Sequence, residues 1–270
     1  MSNLQLRTIS AIVLGAAVLW LTWLGGMPFR LLAAAIGAGV FYEWVAITAT
    51  RQTPLSKLFG WLCLALVLSM LLLGESALVI FPVLIGAAII LYIISSRTGG
   101  FWPASGLIYA ALPAVALGLL RGDDADGLVA IIFLFAVVWA TDIFAYFNGR
   151  ALGGPKLAPR LSPNKTWSGA LGGAAAAVAA GICVGAVAGS AGGWMVPVIA
   201  LFLSIASQFG DIGESWVKRI FGVKDSGRII PGHGGVMDRV DGLVIAATVL
   251  YLLGAALAGA DVPSDIFLAL

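Results

Sequence analysis

The chain has little charge. Only 10% of its 270 residues are Asp, Glu, Lys or Arg, where a soluble domain carries about 25%. With 61% of residues apolar and a mean hydropathy of +1.05, too little polar surface exists to cover a water-soluble fold of this length. Cysteine is equally scarce. Cys63 and Cys183 each sit in an apolar run, which excludes a disulfide framework or a cysteine-built metal site. Histidine occurs once, as His233. Disorder is excluded by the apolar surplus, and a collagen helix by 35 glycines without a three-residue period. A polytopic membrane protein remains.

What is present is a series of long apolar runs, near 8–24, 29–49, 57–74, 77–95, 104–120, 127–148, 167–188, 194–211 and 241–259. A spanning helix needs about 20 such residues, so nine spans are predicted. The runs are continuously apolar, unlike the alternating strands of about 10 residues in a membrane barrel, and the fold class is all-α. Only Gly74, Glu75 and Ser76 separate the third and fourth runs, which predicts a tight helical hairpin. The small residues of 169–189 predict close helix packing. The first run is read as a retained helix rather than a signal peptide, for want of a small-residue cleavage site.

Positive charge orients the bundle. With the N-terminus cytoplasmic, Arg7, Arg51, Lys57, Arg97, Arg150, Lys156, Arg160, Lys165, Lys218, Arg219, Lys224, Arg228 and Arg239 all fall on the cytoplasmic side. Only Arg30 and Arg121 fall opposite. Nine spans then put the C-terminus on the non-cytoplasmic side. Residues 1–120 read as hydrophobic scaffold, with Glu43 the ionisable exception inside a span. Residues 121–270 read as a catalytic membrane domain with polar cytoplasmic loops near 149–166 and 212–240.

The second loop and its flanks concentrate the chemistry. If the eighth run stays helical past Gly213, then Asp211, Ser215 and Lys218 follow i, i+4, i+7 and share a face. Asp238 and Asp241 stand i, i+3 at the start of the last span, and Asp142 lies deep in the sixth. Ionised groups at helix depth are costly unless paired or liganded. Carboxylates from separate helices suit Mg²⁺, which takes one or two protein carboxylates and completes its shell with water and phosphates. Asp241 also reads as negative charge at a helix start. Gly232, Gly234 and Gly235 flank His233 in a permissive loop whose N–H groups can turn toward phosphate. Lys218, Arg219, Lys224, Arg228 and Arg239 surround that loop in sequence, and Ser162-Pro-Asn-Lys165-Thr-Trp167 adds a second basic element.

Residues 215–241 resemble the signature of the phosphatidate cytidylyltransferases: Ser215, Lys218-Arg219, Lys224-Asp225, Gly227, Pro231, His233-Gly234-Gly235, Asp238-Arg239 and a closing Asp241. The segments Asp142 to Arg150 and Ser162 to Trp167 are similar to the family as well. The resemblance spans roughly 139–242, and one position departs from it: Ser168 stands where the family usually has Glu, so no carboxylate role is carried there. The resemblance implies transfer of CMP from CTP to phosphatidic acid, giving CDP-diacylglycerol and pyrophosphate, in a bacterial inner membrane with the active site facing the cytoplasm. It implies Mg²⁺ on Asp211 and Asp238, with a second cation left open, and catalytic roles for Asp211, Asp238, Lys218, Arg239 and His233. Substrate contacts are expected from Asp142, Lys165, Ser215, Arg219, Lys224, Asp225, Gly234, Gly235 and Asp241. For His233, proton transfer, a phosphate hydrogen bond and support of the glycine loop all stay open. The expected partners are CTP and phosphatidic acid, with a homodimer left open and no nucleic acid. Two other readings compete. An ion-coupled transporter would place carboxylates near mid-membrane in two similar halves, and no internal repeat is visible. A CDP-alcohol phosphotransferase would need an Asp-Gly-x-x-Ala-Arg element, whereas Asp241-Gly242 runs on into Leu243-Val-Ile.

Overall fold

The computed structural model describes residues 3–189, 193–230, 232 and 234–267, the first five of these and residue 267 by backbone alone. Among the described residues it contains nine α-helices: α1 (Asn3–Leu24), α2 (Gly26–Ile47), α3 (Pro54–Leu73), α4 (Ala77–Ser95), α5 (Trp102–Arg121), α6 (Ala125–Leu152), α7 (Trp167–Val187), α8 (Met195–Ile220) and α9 (Met237–Leu257). Each predicted run lies within one of them or overlaps most of it. Helices α2 to α9 are long and apolar enough to cross a membrane, while the apolar stretch of α1, Thr8–Leu24, is shorter. The chain is an integral membrane protein. Its outward faces carry many large apolar side chains, among them Leu73, Leu78, Ile93 and Phe209, as expected where lipid rather than water is the surroundings.

Local signals fix where the helices begin and end. Thr53 and Ser56 form a reciprocal capping box with Pro54 in the first turn of α3, and Gly74 closes that helix with a left-handed φ of 77°. Asp124 accepts from Gly127 N at 2.7 Å to start α6, and Thr166 accepts from Gly169 N at 3.1 Å to start α7. Each such cap contributes on the order of 1 kcal/mol.

The chain divides into two compact units. The first comprises Met1–Leu119 and Phe221–Val240, the second Leu120–Ile220 and Asp241–Leu270. In the first unit the helices alternate in direction. At one end, a Cβ at Gly74 would stand 2.5 Å from Arg30 Nη1, so Arg30 lies against the α3–α4 turn. At the other, Gly99 packs on the carbonyl of Arg51, Trp44 Nε1 donates to Trp102 O at 3.0 Å, and the Trp102 and Phe221 rings meet edge-on at 4.7 Å. The turns bearing Arg51 and Arg97 and the ring of Phe221 thus share an end, opposite Arg30.

In the second unit, α7 buries Gly169, Gly173, Ala177, Gly181 and Gly185 at every fourth position. A Cβ at Gly169 would stand 2.6 Å from Ala145 O, and one at Gly173 would stand 2.7 Å from Thr141 O. Backbones of α6 and α7 therefore meet directly, the packing that small residues permit in a membrane. The hydroxyls of Thr141 and Ser204 bond at 2.8 Å to join α6 to α8. Gly210 brings α8 onto α9, since a Cβ there would stand 2.5 Å from Asp241 O. Both cysteines are free thiols, Cys63 half-buried and Cys183 exposed.

Two loop boundaries differ from those expected. Helix α8 runs to Ile220 rather than stopping near 211, so the second polar connection begins at 221 and not 212. Its last turns are sustained by the i, i+4 pair Glu214–Lys218 and by Lys218 and Arg219 in the final turn, where cations offset the helix dipole. Helix α6 likewise extends to Leu152. The first connection then folds into an antiparallel hairpin of β1 (Lys156–Ala158) and β2 (Ser162–Thr166), which no apolar alternation announces.

Candidate active site

In the second unit, α6, β2, α8 and α9 bring Asp142, Lys165, Asp211 and Asp241 together. Lys165 Nζ forms an ion pair with Asp211 Oδ2, the two side chains 24% and 30% exposed. Asp142 lies in the field of both Asp211 and Lys165. Asp241 interacts electrostatically with Asp211, Glu214 and Asp142, and its Oδ1 accepts from Gly242 N at 2.8 Å. Lys165 is thus the cation paired to Asp211, with Asp142 and Asp241 within electrostatic reach of that aspartate.

Lys165 is placed by the hairpin. Trp167 N donates to Pro155 O at 3.0 Å, and Ser168 Oγ donates to Gly153 O and bonds Thr166 Oγ1. Ser168 therefore ties both ends of the connection at the point where the sequence departs from the signature. On α8, Lys218 Nζ meets Glu214 Oε2 at 2.7 Å, and both residues are buried. Any phosphate contact by Lys218 would share that charge with Glu214. Ser215 is half-buried and Arg219 exposed on the same helix.

The first unit holds the other half of the signature. Glu43 of α2 is 1% exposed, and its carboxylate receives three donors. Oε2 accepts from Ser226 Oγ at 2.7 Å and from Met237 N at 2.8 Å, and Oε1 accepts from Val236 N at 2.9 Å. Asp238 Oδ2 accepts from Ser226 N at 2.9 Å and from Gly235 N at 3.1 Å. Asp238 N in turn donates to Ser226 Oγ at 3.3 Å. The single N–H of Gly235 is thus committed to Asp238 rather than turned toward a phosphate. Gly235 must also lack a Cβ, which would collide with Ser226 Oγ, whereas Gly234 is needed for its φ of 88°. Lys224, Asp225, Arg228 and Arg239 are exposed. His233 and Pro231 lie outside the described residues.

Residues 5–257 match the family described as the cytidylyltransferase family. The chain belongs to that family. A phosphatidate cytidylyltransferase of Brucella suis biovar 1 (strain 1330) is 61% identical over 267 residues, covering 99% of this chain and 99% of the relative. Another of Bacillus subtilis (strain 168) is 31% identical over 273 residues, covering 94% and 98% respectively. One from Staphylococcus haemolyticus (strain JCSC1435) is 32% identical over 260 residues, covering 93% and 98%.

The available ligands are carboxylate oxygens, the type Mg²⁺ prefers. In the second unit Asp211 belongs to the acidic group described above. In the first, Asp238 is held rigidly by two backbone N–H groups. Among the described residues no three His, Cys, Asp or Glu side chains form a ready-made cage.

Sequence reasoning missed Glu43 as a site-building residue, together with Ser226 and Glu214. Glu43 gave one signal, as an acid inside an apolar span, but its partners are 183 to 194 positions away.

Proposed function

We propose that this cytidylyltransferase transfers the cytidylyl group of CTP to phosphatidic acid, yielding CDP-diacylglycerol and pyrophosphate. The reading rests on the 61% identity to the Brucella suis enzyme along nearly the whole of both chains. The acidic group around Lys165 and the carboxylate-braced signature segment support it.

A phosphate oxygen of phosphatidic acid attacks the α-phosphorus of CTP. The new P–O bond forms as the bond to the bridging oxygen breaks, and pyrophosphate leaves with that electron pair. A phosphate monoester has its second pKa near about 6, so the nucleophile is ionised at neutral pH and no strong base is needed. Catalysis then consists of aligning anions and stabilising the leaving group. Lys165, Lys218, Arg219 and Arg239 supply positive charge toward the phosphates. Lys224 and Asp225 border the nucleotide, and Ser215, Gly234 and Gly235 shape its surroundings. His233 acts as a phosphate hydrogen-bond donor. When bound, Mg²⁺ would offset phosphate charge and ease departure of pyrophosphate; Asp211 and Asp238 are the residues that would hold it.

Both substrates are anionic, one cytosolic and one in the membrane, so the reaction belongs at the cytoplasmic face of an inner membrane. The N-terminus then faces the cytoplasm, and nine crossings put the C-terminus outside. A phosphatase reporter at the C-terminus should be active, and a β-galactosidase reporter inactive. The reverse pattern would remove one crossing.

The activity itself is checked with purified protein in detergent micelles. Pyrophosphate release from CTP should require phosphatidic acid, and diacylglycerol, which lacks the attacking phosphate, should not replace it. Equal release with diacylglycerol would contradict the reading.

A further inference from the structure

Helix α2 lies in the part of the chain that reads as scaffold, yet its one acid is committed to the signature segment. A carboxylate buried in a membrane helix is costly unless its oxygens are satisfied. All three of the donors to Glu43 named above come from residues 226–237. Ser226 is the link. Its hydroxyl donates to Glu43 and accepts from Asp238 N, while its own N–H donates to Asp238 Oδ2. Gly227 and Gly235 are shaped to the same group, since a Cβ on Gly227 would strike Glu43 Oε1 and one on Gly235 would strike Ser226 Oγ. Residues 226, 227 and 235–237 are thus arranged around one carboxylate, and Asp238 is oriented by the same group.

We propose that Glu43, acting through Ser226, is a positioning residue that fixes the orientation of Asp238 and the course of the glycine loop for cytidylyl transfer. The catalytic part of this inference rests on the function proposed above, but the mechanical part does not. An amide cannot reproduce Glu43: wherever its NH₂ group points, it faces an N–H donor of Val236 or Met237. Glu43→Gln should therefore loosen residues 222–236 while leaving the apolar helix packing in place. Ser226→Ala should break only the relay, because Glu43 keeps its two backbone donors.

The test uses the full chain in detergent, with three readouts: the thermal midpoint, the rate of tryptic cleavage after exposed Arg228, and phosphatidate-dependent pyrophosphate release with its Mg²⁺ midpoint. Both variants should lose about 10- to 100-fold in kcat/KM for CTP, as expected for lost hydrogen bonds to a charged group. They should need several-fold more Mg²⁺, and be cut after Arg228 about tenfold faster, with thermal midpoints near that of the parent. Adding Ser226→Ala to Glu43→Gln should do no further harm, since both break the same relay. Wild-type cleavage and turnover in Ser226→Ala would overturn the proposal. So would losses that follow a general fall in the thermal midpoint with faster cleavage along the whole chain. If Glu43→Gln does not fold, Ser226→Ala alone decides. If the parent protein transfers no cytidylyl group, the assigned function fails, and cleavage at Arg228 still tests what holds the loop.

Discussion

Replacing Asp211 or Asp238 with asparagine is expected to lower turnover by at least about 10³-fold, corresponding to roughly 4 kcal/mol of lost transition-state stabilisation. The substitution is nearly isosteric. At position 238 the amide oxygen can still accept from Ser226 N and Gly235 N, the two bonds that hold the carboxylate, so the loop survives and the charge is lost. At position 211 the partner left behind is Lys165, which still has Asp142 in its field. Membrane insertion, yield and thermal midpoint should therefore match the parent protein while pyrophosphate release disappears. Activity within a few fold of the parent in either variant would remove that residue from the proposed Mg²⁺ site.

The second large effect is expected at Lys165. Its ammonium is the cation paired to Asp211 within a group that includes Asp142 and Asp241. Lys165→Met leaves those carboxylates facing one another without it. Removing one partner of a close charge pair costs about 2–5 kcal/mol when the pair is buried. Because this pair is partly exposed, the lower part of that range applies, or roughly 30- to 150-fold in kcat/KM for CTP. Lys165→Arg keeps the charge and should recover much of the loss. An Arg variant as impaired as the Met variant would show that shape, not charge, is what position 165 supplies.

These two expectations draw on features that differed in how readily they could be read from sequence. The helices were legible because a bilayer demands long, continuous apolar runs, and nothing else in the chain resembles them. The Asp211, Ser215, Lys218 register was legible only on condition that the helix passes Gly213, and α8 does continue to Ile220. The end of that helix was not legible. Residues 212–220 are polar at a membrane boundary, and polarity alone does not separate a loop from a helix leaving the bilayer. The β1–β2 hairpin was illegible because its strands are three and five residues long and hold no apolar face. Glu43 marks the deeper limit. Its partners lie far along the chain, and only the folded backbone reveals that an apparent scaffold helix closes on the signature segment. Gly235 shows the same limit: as a sequence feature it suggests a phosphate cradle, whereas in the fold its N–H serves Asp238.

If phosphatidic acid attacks the α-phosphorus of CTP, the fate of each CTP phosphorus is fixed. The most direct test gives purified protein phosphatidic acid and Mg²⁺ with CTP labelled at either the α- or the γ-phosphorus, then partitions the products between chloroform and water. The α label should enter a chloroform-soluble lipid in proportion to phosphatidic acid consumed, while the γ label should appear in water as pyrophosphate. An α label that stays in water, or a γ label that enters the lipid, would contradict that attack.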